Sequence, residues 1–188
     1  MEAEASRDVP VSLAGQWRFS LDRDDAGIEQ QWFGRDLPDR IQLPGALQFQ
    51  GYGDPIDTAT PWVAKLIDGQ WYTKEKYKPY TQPGNVWVPF FLQPERHYVG
   101  AAWYQRDVEI PAAWRGRRVV LTLERAHWET RVWVDERPVG TNRGLGAAHV
   151  YDLGIGAAPG RHRLTIRVDN RMIVDVGADA HSISDETQ

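Results

Sequence analysis

The sequence predicts an all-β protein, an antiparallel β-sandwich with long aromatic-rich loops. Three observations carry that reading. Residues 128–135 and 164–169 alternate apolar and polar side chains with period two, the pattern of strands with one face toward a core. Further short β-prone segments recur between clusters of Pro and Gly, at the spacing of an antiparallel sandwich. Nine Trp, seven Tyr and five Phe occupy a chain whose mean hydropathy is −0.55, so the aromatic mass serves either as core filling or as flat faces for ligands such as sugars.

In chain order, the first strand is expected at 17–21. A short helix follows at 25–33, with Asp24 or Asp25 as N-cap. From 44 to 100 the periodicity fails while Tyr, Trp, Phe, Pro and Gly accumulate. A loop region of that length is usually functional or disordered, and its aromatics argue against disorder. It is read as ordered excursions that present a surface. Strands return at 103–110, 119–124, 128–135, 150–153 and 164–169, separated by turn residues at 111–116, 135–140 and Pro159-Gly160. On 128–135, Trp128, Thr130, Val132 and Val134 share the face assigned to the core, and Glu129, Arg131, Trp133 and Asp135 the face assigned to solvent. On 164–169, Leu164, Ile166 and Val168 point inward and the charged and hydroxyl residues outward.

The 188 residues suit one domain: 10–50 as opening strand and short helix, 51–100 as the excursion, 101–175 as the main strands and 176–188 as the start of an interdomain linker. A (β/α)₈ barrel needs about 250 residues on its own, so this chain cannot also hold one. A net charge of −4 with mixed signs excludes a nucleic-acid surface, which needs a clustered basic excess. There is no Cys, hence neither disulfide nor thiolate metal site. The five His, at 97, 127, 149, 162 and 181, show no metal-ligand spacing, and no cofactor is expected. No membrane partner is expected either: no run of about 18 apolar residues occurs, and residues 1–10 are acidic and polar, unlike a signal peptide. The compartment stays open, with a periplasmic or secreted address favoured over a cytoplasmic one.

Residues 100–120, with Trp103-Tyr104 and Pro111 to Gly116, resemble the first full sandwich strand and turn of family 2 glycoside hydrolases, the family of β-galactosidases and β-glucuronidases. Three further segments follow in that family's order: 123–140 is similar to its V-W-V-N-G hairpin, 149–153 to its F-D-L strand, and 159–170 to its stretch ending V-D-N. Gly15-Gln16-Trp17-Arg18-Phe19 and Leu43-Pro44-Gly45 agree as well. The resemblance implies a galactose-binding-like jelly roll, the domain that opens such an enzyme ahead of its catalytic barrel. One departure concerns the hairpin turn. The family's tight Asn-Gly is replaced by Asp135-Glu136-Arg137-Pro138, and a longer turn is expected there.

Retaining glycosidases need two carboxyl groups about 5–5.5 Å apart. In the family both are barrel glutamates, the acid/base preceded by Asn, and this sequence contains no Asn-Glu pair. No catalytic residue is therefore assigned. His181, Ser184 and Asp185 lie near one another in sequence, which is not triad geometry. The resemblance places the loop 90–98 and residues 181–186 along one wall of the substrate site. Arg96, His97 and Asp185 are candidates to hydrogen-bond sugar hydroxyls, with Trp87 or Phe91 as a stacking face and Trp128 at the ligand-facing edge. The alternative is that these aromatics are core and the polar groups are solvated or face a neighbouring domain. Two functional readings follow: a sugar-binding accessory domain packed on the catalytic barrel of a β-glycosidase, or an independent carbohydrate-binding module of lectin type.

Overall fold

The computed structural model describes residues 10–60, 71–87, 94, 96–154 and 158–171. Twelve strands occur among them: β1 (Gly15–Asp22), β2 (Asp39–Leu43), β3 (Asp54–Pro55), β4 (Thr81–Gln82), β5 (Asn85–Val86), β6 (Arg96–His97), β7 (Ala101–Ile110), β8 (Val119–Leu123), β9 (Glu129–Val134), β10 (Arg137–Arg143), β11 (His149–Gly154) and β12 (Gly160–Asp169). One antiparallel sheet runs β10-β9-β12-β7-β1-β2, and the β8–β11 pair forms a facing layer. The expected antiparallel sandwich is present, and each predicted strand is found with ends shifted by a few residues.

The core lies between the layers. Trp17 and Phe19 of β1, Ala102 and Tyr104 of β7, Val132 of β9 and Leu164, Ile166 and Val168 of β12 meet Leu121 of β8 and Tyr151 of β11. Val134 is half-buried against this cluster. Two-residue alternation thus identifies the inner face correctly, because successive side chains of a strand point to opposite sides.

The outer face of the six-stranded sheet differs from expectation. Trp103, Gln105, Glu129, Trp133, Thr165, Arg167 and Asp169 all point away from the core, and all are buried. The reason is a covering segment, residues 23–38, which packs Trp32, Phe33 and Leu37 onto Trp103 and Trp133. Phe33 stacks on Trp133 and Trp103 on Trp133, with ring centroids 5.2 and 5.1 Å apart. Beneath this cover Gln105 accepts from Arg18 Nε at 2.8 Å and donates to Arg35 O at 2.9 Å, so its burial is matched by hydrogen bonds.

This segment is not the predicted helix. It contains one α-type bond, Gln30 N to Ala26 O at 2.9 Å, and a single 3₁₀ turn, Trp32–Gly34. The cause is non-local. The Asp22 carboxylate at the end of β1 accepts from Ala26 N, Gly27 N and the Trp103 indole at 2.8, 3.0 and 2.8 Å, drawing the chain down onto the sheet. Gly27 comes so close that a Cβ there would lie 2.5 Å from Trp103 Nε1. Asp25 and Gln31 adopt left-handed dihedrals, which an α-helix excludes.

The longer hairpin turn is also corrected. Arg137 pairs directly with Val134, leaving only Asp135 and Glu136 in the turn, both at positive φ (47° and 68°), the backbone of a type I′ turn. Asp135 is held there from another strand. Its carboxylate accepts from Arg163 N at 2.9 Å and pairs with His162 Nδ1. Pro138 is tolerated because β10 is an edge strand with a register shift between Pro138 and Gly140.

Candidate functional site

One end of the sheet gathers the chemistry. The register aligns Asp22, Ala101, Asp169, Glu129 and Arg143 in a row across β1, β7, β12, β9 and β10. Cross-strand neighbours in such a row share a face. The next row contains Trp103, Arg167 and Arg131.

The two rows form an ion network. Arg167 donates to Asp169 at 2.8 Å and to Asp25 at 2.6 Å, and its other terminal nitrogen lies 3.6 Å from Glu129. Glu129 is also bound by Arg131 at 2.7 Å and Arg143 at 2.8 Å. Arg171 reaches Asp169 at 2.6 Å and Asp25 at 2.9 Å. Burial works to raise the pKa of Glu129, but Arg143 and Arg131 outweigh it and hold the carboxyl below its usual range. At Asp169 and Asp25 burial again acts upward and is overcome, mainly by Arg171 at Asp169 and by Arg167 and Arg171 at Asp25. A general acid in glycoside hydrolysis needs the opposite, a carboxyl kept protonated near neutral pH. These groups are built to position the backbone.

What they position is the chain entering β7. Asn170, next to Asp169, donates from Nδ2 to Tyr98 O at 2.9 Å and accepts Gly100 N on Oδ1 at 2.8 Å. Its own N–H reaches Gly100 O at 3.3 Å. Tyr98 is buried, its hydroxyl donating to Ala101 O at 2.7 Å, and desolvation pushes its pKa up to about 12. The clamp therefore fixes the loop that follows β6. Upstream, β6 is pinned to β3 through Asp54↔His97 and Pro55↔Arg96. Gly53 at φ 103° allows that approach, since a Cβ would meet His97 O at 2.7 Å.

The residues singled out in the sequence fall as follows. Arg96 is half-buried on β6, and His97 beside it is 5% exposed. Burial makes His97 part of the packing, and Arg96, on the same short strand, keeps partial exposure. Trp128 is half-buried directly before β9. Its N–H donates to Asp169 O at 2.9 Å and its carbonyl accepts from Gly144 N at 3.0 Å. The structure thus brings the 96–100 loop and Trp128 to the same end of the sheet, on either side of Asp169-Asn170. Trp87 is exposed at the base of a separate hairpin, β4–β5. Phe91 and Asp185 lie outside the described residues. Sequence reasoning missed Asn170, Arg171 and Asp25. The signal for Asn170 was the polar Asp169-Asn170 pair that ends an otherwise alternating strand.

Two donors at this corner, Trp128 Nε1 and Arg167 Nε, are buried without a hydrogen-bond partner among the described residues. An unsatisfied buried donor costs about 1–3 kcal/mol. Such groups concentrate where something further completes the bonding.

The fold and this corner define an antiparallel sandwich domain whose polar end is organised around the strand leading into its last residues. Residues 11–81 match the family model described as glycosyl hydrolases family 2, sugar binding domain. It is 26% identical over 159 residues to a β-glucuronidase of Paenibacillus borealis, covering 84% of this chain and 20% of that protein. A human β-glucuronidase is 26% identical over 170 residues (85% and 21%). A β-galactosidase large subunit of Leuconostoc lactis is 24% identical over 149 residues (76% and 22%). Among solved structures, Ruminococcus gnavus β-glucuronidase in complex with D-glucaro 1,5-lactone superposes with a TM-score of 0.58 at 18% identity, over 85% of this chain and 21% of that one; this likeness supports the fold. The chain spans about a fifth of the length of these relatives.

Proposed function

We propose that this chain is a non-catalytic sugar-binding domain that walls the substrate site of a retaining β-glycosidase, whose catalytic carboxylates belong to another domain. β-Glucuronides are its substrates. The observation that carries the reading is the Asn170 clamp: it ties residues 98–100, which follow Arg96 and His97, to the strand end that also holds Trp128, at a corner where two buried donors have no partner among the described residues. The ion-paired state of Asp25, Glu129 and Asp169 supports a binding role over an acid/base one. The glucuronide assignment rests on the relatives, several of which are β-glucuronidases.

A wall acts by positioning substrate, so removing one contact costs transition-state stabilisation while leaving the reacting groups in place. In the multidomain enzyme that carries this domain, Arg96→Ala lowers kcat/KM for an aryl β-D-glucuronide by about 10- to 100-fold, equivalent to about 1.4–2.7 kcal/mol, with the thermal midpoint unchanged. Trp128→Phe, which deletes the unpaired indole N–H, acts in the same direction. Wild-type kinetics in both variants would remove this corner from the substrate site. His97→Ala is a poorer probe, because truncating a buried side chain lowers stability as well.

A further inference from the structure

We propose that the segment over residues 71–87, two 3₁₀ helices followed by the β4–β5 hairpin, is a separate surface for anionic glycans, oligosaccharides bearing uronate carboxylates. It goes beyond the wall reading and requires neither the Asn170 corner nor a catalytic domain. The first observation is charge. All four lysines of the chain lie between 65 and 78, at Lys65, Lys74, Lys76 and Lys78, while every other base is Arg. Within 71–87 three Lys accompany one acid, Glu75, giving +3 − 1 = +2, whereas the whole chain is at −4 and the remainder therefore at −6; Glu75 pairs with Lys78, so the excess charge rests on Lys74 and Lys76. Lys74, Lys76 and Lys78 are all exposed. This is a local basic island on an acidic protein, and such an island draws anionic ligands to itself.

The second observation is aromatic exposure. In the sheet, Trp17, Trp103 and Trp133 are at most 7% exposed, whereas Trp87 is 59%, Tyr80 44% and Tyr72 38% exposed. Trp87 N donates to Tyr80 O at 3.0 Å and Thr81 pairs with Val86, so Tyr80 and Trp87 stand opposite each other at the hairpin base. Hydrogen bonds brace the platform. Val86 is buried, Asn85 Nδ2 donates to Pro79 O and Thr81 Oγ1 to Lys78 O, each at 2.8 Å, and Gly84 takes the tip at φ 77°. A preorganised surface loses little entropy on binding.

Aromatic rings beside ammonium groups match one ligand class. The C–H face of a pyranose covers an indole or phenol ring, and a carboxylate on that sugar reaches an ammonium, a point charge that accepts many geometries. Lys76 already lies over the Tyr77 ring, 4.7 Å from its centroid, which keeps a cation at the platform. Polyphosphates fit less well: the segment has no Arg for bidentate phosphate contacts, and the chain as a whole is acidic.

The test titrates the 188-residue chain with a hexasaccharide of alternating glucuronate and N-acetylglucosamine, and with its carboxyl-reduced counterpart, by calorimetry or ligand-observed NMR. The acidic sugar binds about tenfold or more tightly than the reduced one, and its affinity falls as salt shortens the reach of the lysines. Trp87→Ala, and Lys76→Gln with Lys78→Gln, each weaken binding about tenfold with an unchanged thermal midpoint, while Trp87→Phe retains most of it. Arg118→Gln, a change at an exposed cation beside β8, leaves binding untouched, which separates the platform from surface charge in general. Equal affinity for the two sugars, full binding by Trp87→Ala, loss of binding in Arg118→Gln, or no binding at about 10 mM sugar would each overturn the proposal.

Discussion

At the centre of the six-stranded sheet both faces are buried, and they are chemically opposite. Leu164, Ile166 and Val168 fill the inner face with hydrocarbon, while Thr165, Arg167 and Asp169, alternating with them on the same strand, sit at 1%, 4% and 8% exposure on the outer one. The inner face is held by dispersion and the hydrophobic effect, which are non-directional. The outer face is held by matched hydrogen bonds and ion pairs, which tolerate no missing partner. That difference places the Asn170 corner on the outer side. Only directional bonding fixes a loop such as 98–100 in one geometry.

The comparison breaks most visibly at Arg167. Arg167→Ala leaves Asp169 and Glu129 under-compensated and costs about 3–5 kcal/mol, the usual result of removing one partner of a buried pair. On the inner face, Ile166→Val costs about 0.5–1.5 kcal/mol. Denaturant midpoints of the two variants measure the contrast, and a smaller loss at Arg167 than at Ile166 would mean that the outer network contributes little. Next in size is Asn170→Ala. It strands Gly100 N and Tyr98 O and costs about 1–3 kcal/mol, with hydrogen exchange at Gly100 speeding up more than exchange in the middle of β7. Uniform exchange along β7 would dissolve the clamp.

A smaller effect sharpens the comparison through pH. Asp25, Glu129 and Asp169 have folded pKa values below their unfolded ones. Their contribution is complete above the unfolded values near 4 and is lost as pH falls through the depressed folded values. Between about pH 4.5 and pH 2 the wild-type midpoint therefore falls more steeply than that of Glu129→Gln, which is less stable at neutral pH but less acid-sensitive. Parallel curves would show that the pairing of Glu129 does not contribute to stability.

The same contrast explains what could be read in the sequence. Strand positions and the inner face were legible because alternation is a local property. What covers the other face is not local. Nothing in 164–169 signals that Trp32 and Phe33, about 130 residues earlier, lie over it. The short helix failed because the Asp22 carboxylate competes for Ala26 N and Gly27 N from outside the segment, and the tight hairpin turn was missed because Asp135 is held by Arg163 and His162 of another strand. In the candidate site, the family-like order of segments pointed to the loop before β7 and to Trp128. It did not reveal that His97 is buried or that Asn170 ties the loop down, because neither follows from residue type without the register that sets Asp169 beside Ala101.

The most direct test of a binding role without catalysis is an assay of the purified 188-residue chain on 4-nitrophenyl β-D-glucuronide. With its corner carboxylates locked in ion pairs, the chain should show no release of nitrophenol above a buffer blank. Turnover that disappears in Glu129→Gln or Asp169→Asn would contradict the account, because it would make a catalytic pair of the groups assigned here to structure.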